Sequence, residues 1–171
     1  MKRILIALLT LCAVPAAAQG NANPAMGSVK PLWEQTTRYL LAAAEQMPEA
    51  DYGFRPTADV RSFGQLVGHV ANAQRMICSA AMGEAAQGGQ NAEEITQKAA
   101  LVEALRASNA VCERAYGQSD QSALEVVRLF GQERTRLSAL ILNAAHNFEH
   151  YGNIVTYMRI KGMVPPSSQG N

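Results

Sequence analysis

Between Gln132 and Lys161 apolar residues recur every three or four positions, at Leu137, Leu140, Ile141, Ala144, Ala145, Phe148, Tyr151, Ile154, Val155 and Met158. That spacing gathers them on one face of a 3.6-residue helix and predicts the longest helix of the chain. Gly162 and the Pro165-Pro166 pair supply the chemistry that ends it. The same period predicts a first helix opening at Ser28, with Leu32, Thr36, Tyr39, Leu40 and Ala43 on its face and Pro48 closing it. A second opens at Ser62, where Ser62-Phe63-Gly64-Gln65 fits a capping box, and carries Leu66, Val70, Ala73 and Ile77 towards Gly83. A third is expected from about Ala92 to Tyr116, with Asn91 placed to cap it. No segment sustains the two-residue alternation of a strand, and Gly131 interrupts the irregular pattern of Leu124, Val127, Leu129 and Phe130. Four long helices with apolar faces predict an all-α, four-helix bundle.

The first eighteen residues follow another rule. Lys2 and Arg3 precede an apolar stretch from Ile4 to Val14, and Ala16-Ala17-Ala18 offers a small-residue cleavage site. This is the pattern of a secretory signal peptide, and the expectation is an exported protein, periplasmic or secreted. Cys12 follows the large Leu11, where lipoprotein processing wants a small residue, so release is expected rather than lipid anchoring or membrane insertion after cleavage. Residues 19–27 read as a flexible lead-in, 28–166 as the bundle and 167–171 as a loose tail. Removing residues 1–18 leaves thirteen basic against fourteen acidic side chains, a formal charge of −1. That balance lacks the basic stripe that phosphate neutralisation requires, which argues against nucleic acid as a partner.

The chain has only three histidines, and they carry its candidate chemistry. His146 and His150, four residues apart, share one face of the last predicted helix. His69 lies near the middle of the second. If those helices pack together, three imidazoles converge on one cation and leave a coordination position for water or substrate. Gln65, Asn72, Asn143 and Asn153 are candidate partners that would orient the imidazoles from behind. The spacing alone equally admits three histidines satisfied by ordinary core hydrogen bonds. Imidazole suits zinc, nickel, manganese and iron, so the pattern does not choose the metal. Haem is a further candidate, although no covalent attachment motif accompanies it.

Three stretches, DYGFRPTADVRSFGQLVGHV, HNFEHYGNIVTYMRIKGMVPP and LWEQTTRYLLAAAEQMP, together resemble the DinB family of DinB/YfiT-like metalloenzymes. The resemblance spans about Ser28 to Pro166. It implies helices in up-down-down-up order and a divalent metal held by His69, His146 and His150. Activities in the wider family include thiol-dependent transfer and isomerisation, which act on cytosolic thiols and fit an exported chain poorly. Family order also bears on Cys78 and Cys112, both late in their helices. A simple up-down bundle separates them, whereas parallel second and third helices allow the 4.4–6.8 Å Cα separation of a disulfide.

The expected function is therefore metal-dependent hydrolysis or group transfer on a small molecule. A noncatalytic metal-binding or interaction bundle is the alternative, and a homodimer through an apolar face fits either. Glu149 adjoins the histidines but is offset from their face. Tyr157, Trp33 and Phe54 read as packing residues, while Arg55 and Arg61 read as braces at the start of the second helix.

Overall fold

A computed structural model describes residues 22–85 and 89–170. The expected signal peptide, residues 19–21 of the lead-in and residues 86–88 lie outside those residues, as does Asn171 at the end of the expected tail. Four long helices dominate: α1 (Pro24–Gln46), α2 (Phe63–Ala81), α3 (Lys98–Tyr116) and α5 (Arg136–Ile160). Between α3 and α5 lie a short helix α4 (Asp120–Ala123) and a hairpin of β1 (Val126–Leu129) and β2 (Gln132–Thr135). Among the described residues no helix is long and apolar enough to cross a membrane.

The helices run up-down-down-up. Contacts between α2 and α3 advance together along both chains: Gly64 packs on Leu101, Gln74 bonds Ser108, and Cys78 meets Cys112. These helices are therefore parallel. Helix α1 lies antiparallel to α3, with Lys30 bonded to Glu113 near its start and Met47 bonded to Lys98 beyond its end. Cys78 and Cys112 form a disulfide with their Cα atoms 5.1 Å apart, buried between α2 and α3.

Two apolar clusters fill the interior. One gathers Leu40, Met47, Phe63, Val67, Leu101, Leu105, Ile154 and Met158, and the other Trp33, Ile77, Tyr116, Leu129 and Leu140. Between them each long helix contributes buried polar side chains: Thr36 and Thr37, Gln74, Ser108, and Asn147. Gln74 knots this layer together. Its Oε1 accepts from Trp33 Nε1 at 2.9 Å and Asn147 Nδ2 at 3.0 Å, and its Nε2 donates to Ser108 Oγ and Asn109 Oδ1.

Three boundaries differ from the sequence reading. Helix α1 begins at Pro24 rather than Ser28, because proline suits the first helical turn and a remote carboxylate satisfies two of its free amides: Asp120 accepts from Ala25 and Met26. The third helix begins at Lys98, after a separate 3₁₀ turn at Ala92–Glu94 that Asn91 caps through the Glu93 amide. The last begins at Arg136 with Thr135 as its cap, and Gln132 instead starts β2. The hairpin turns at Phe130 and Gly131, both at positive φ, a conformation that glycine adopts freely. Ser62 forms the expected capping box with Gln65. Beyond α5 the chain is pinned back, with the Ser167 amide donating to Tyr151 Oη at 2.8 Å.

Candidate metal centre

Antiparallel packing of α2 on α5 brings the three histidines together. His146 and His150 stand one turn apart on α5, and His69 faces them from α2. The Nε2 of His146 lies 3.1 Å from Nε2 of His69 and 3.0 Å from Nε2 of His150. One ligand atom from each ring falls within 4.8 Å of the others.

The proton inventory of this cluster favours a cation. His69 directs Nδ1 to Glu93 Oε1 at 2.8 Å, an arrangement that places the proton on Nδ1 and a lone pair on Nε2. With neutral rings, a single proton on His146 Nε2 then has to serve both of its neighbours. A divalent ion accepts all three lone pairs at once. Two nitrogens held at roughly 2.0–2.1 Å from zinc stand about 3.3 Å apart in tetrahedral geometry, close to the separations here.

Electrostatics keep the rings ready for that role. Burial, followed by the charges of His150 and His69, pushes the His146 pKa down to about 4. Burial, followed by the charge of His69, lowers that of His150. Neutral imidazole is the ligating form, so both stay available to a metal at neutral pH. Burial pushes Glu93 upward, but hydrogen bonds from Arg61 and His69 outweigh it and hold the carboxylate below its ordinary range. Arg61 Nε donates to Glu93 Oε2 at 2.8 Å, and the Arg61 carbonyl accepts from Tyr157 Oη at 2.8 Å.

The four amides proposed from sequence do other work. Gln65 completes the capping box and accepts from Arg55. Asn72 accepts from the Ala92 amide and donates to Asn91, which ties the 3₁₀ turn to α2. Asn143 is buried against Tyr116 Oη and the Cys112 sulfur, and Asn153 is exposed. The residue that does reach an imidazole is Glu93, which the sequence reading missed. It stands 24 residues from His69 in a non-periodic link, and Glu93-Glu94 after a capping asparagine was its only signal. Arg61 was expected only to brace the helix start, and it also bonds that carboxylate. Glu149 is exposed. Trp33 stacks on Tyr116 and Phe54 meets Tyr157 edge-on, as packing residues do.

Several solved structures share the fold. A DinB-like protein from Bacillus cereus superposes with a TM-score of 0.70 at 16% identity, covering 82% of this chain and 95% of that one. A DinB-like protein from Bacillus subtilis gives 0.64 at 18% identity, covering 84% and 99%. A conserved protein from Enterococcus faecalis gives 0.63 at 17% identity, covering 81% and 96%. No curated protein matches the sequence. The sequence pattern of the DinB superfamily matches residues 32–154, most of the helical bundle with all three histidines inside it, and the chain belongs to that superfamily.

Proposed function

We propose that the protein binds one divalent metal ion through Nε2 of His69, His146 and His150 and uses it in hydrolysis or group transfer on a small molecule. The convergence of the three Nε2 atoms, at 3.0 and 3.1 Å across His146, carries this reading. When bound, such an ion supplies Lewis acidity and a more acidic water. The chain's own part is to hold three neutral ligands, leave the remaining coordination positions to solvent and substrate, and keep the Glu93 carboxylate on the far nitrogen of His69. Three imidazoles suit zinc, nickel, manganese and iron alike. We place the protein outside the cytoplasm after cleavage near residue 18, with neither nucleic acid nor membrane as its partner. The test is elemental mass spectrometry of the exported, untagged protein beside His150→Ala. About one divalent ion per chain, lost in the variant, supports the reading. Protein that carries no metal and takes up no added zinc, nickel or manganese overturns it.

One surface supports self-association, which is compatible with both the enzyme and the noncatalytic interaction bundle. Val29, Leu32, Leu137, Ile141 and Phe148 line an apolar groove between α1 and α5, and the last two are about half exposed, at 52% and 41%. Such a face fits self-association into a homodimer. Sedimentation equilibrium of wild type and Ile141→Glu tests the homodimer: a dimer that the charge dissolves supports it, and a monomer in both removes it.

A further inference from the structure

We infer that Glu93 is a positioning residue for the metal centre: with Arg61 it locks His69 in the tautomer whose Nε2 lone pair faces His146. This rests on the metal reading above. Much of the local fold serves to place one carboxylate. Glu93 belongs to a 3₁₀ turn in the connection between α2 and α3, and two devices press that turn onto α2. Asn72 accepts from the Ala92 amide at 3.1 Å and donates to Asn91, whose own Oδ1 caps the Glu93 amide at 3.1 Å. Gly68, beside His69, lets the turn approach: a Cβ there would collide with the Ala92 carbonyl. Only a residue without a side chain fits.

Arg61 then fixes the carboxylate from its other side. Its Nε donates to Oε2 while Oε1 takes the His69 contact, so each oxygen has one assigned partner. Tyr157 of α5 holds the Arg61 backbone through its carbonyl. The link before α2, the link after it and α5 thus meet at one imidazole. Nothing comparable serves the other rings: Nδ1 of His146 and of His150 are buried without a hydrogen-bond partner among the described residues. Of the three ligands, only His69 has a carboxylate behind it. A carboxylate on the far nitrogen sets the tautomer and makes the imidazole a stronger ligand, and loss of such a partner costs about 10–100-fold in metal affinity.

The test uses the full mature chain as wild type, Glu93→Gln and Glu93→Ala, each verified as folded by circular dichroism. Long-range ¹H–¹⁵N NMR of the metal-free proteins reads the His69 tautomer, and competition with a chelating dye reads zinc affinity. The expected result is an Nδ1–H tautomer in wild type, tautomer exchange in Glu93→Ala, and zinc affinity lowered about 10–100-fold in Glu93→Ala and by a smaller factor in Glu93→Gln, which keeps an acceptor without the charge. Wild-type affinity with an unchanged tautomer in Glu93→Ala overturns the inference. Should wild type bind neither zinc nor nickel nor manganese, the metal reading fails, and the tautomer measurement still decides whether Glu93 sets the ring.

Discussion

The Asp120 carboxylate accepts from two consecutive backbone amides at the start of α1, those of Ala25 and Met26, each at 2.9 Å. Asn23 returns the bond by accepting from the Asp120 amide at 2.8 Å. The first turn of a helix has unsatisfied N–H groups and a partial positive charge, so an anion there acts as a cap and a dipole partner together. Asp120→Ala is expected to lower stability by about 1–2 kcal/mol, read from urea unfolding. Asp120→Asn, which keeps an acceptor, should lose less; equal losses would show that the charge adds nothing.

The buried disulfide joins residues 34 apart in sequence. Closing a loop of that size restricts the unfolded chain, and Cys78→Ala with Cys112→Ala should cost about 2–4 kcal/mol. Alkylation followed by mass spectrometry should find both sulfurs blocked in native protein and free only after unfolding in reductant. Free thiols in the unreduced, unfolded protein would contradict the bridge.

Gln74 is fully buried and satisfies Trp33, Ser108, Asn109 and Asn147 at once. Gln74→Leu retains much of the bulk and leaves the Trp33 and Asn147 donors unpaired, each at a cost of about 1–3 kcal/mol. The expected variant unfolds at markedly lower denaturant, with red-shifted Trp33 emission if water enters the layer. Unchanged stability would mean that these polar groups find other partners.

His146 gives the metal-free protein a pH dependence with a definite sign. Its pKa falls from an ordinary 6.5 to about 4 in the fold, chiefly through burial. The unfolded chain therefore binds the proton more tightly, so this contribution is complete above about 6.5 and is lost as the pH falls towards about 4. The urea midpoint in chelator should drop across that window, and His146→Asn should flatten the drop. An equal slope in both proteins would assign it to other groups.

How legible each part was follows from how local its causes are. The Ser62 capping box lies within four consecutive residues, and the histidine pair on α5 needs only the pitch of a helix, so both could be read from the chain. The hairpin could not. Its strands are four residues each, too short to show an alternation, and Val126 lies exposed where a buried face would have announced itself. Helix α1 begins early because of a carboxylate 95 residues away. Glu93 was missed for a related reason: its value comes from Gly68, Asn72 and Arg61 together, and no period in the sequence connects them.

Parallel pairing of α2 and α3 carries a consequence for chemistry. After α2 the chain must travel back along the full length of a nineteen-residue helix, about 28 Å, before α3 can start. A bundle of alternating helices would turn round in a few residues at the far end and never pass His69 again. Here the return journey runs directly over that ring, and it delivers an acid there. The awkward helix order thus works as a supply route, bringing a second stretch of backbone, and the Glu93 carboxylate with it, to the three histidines.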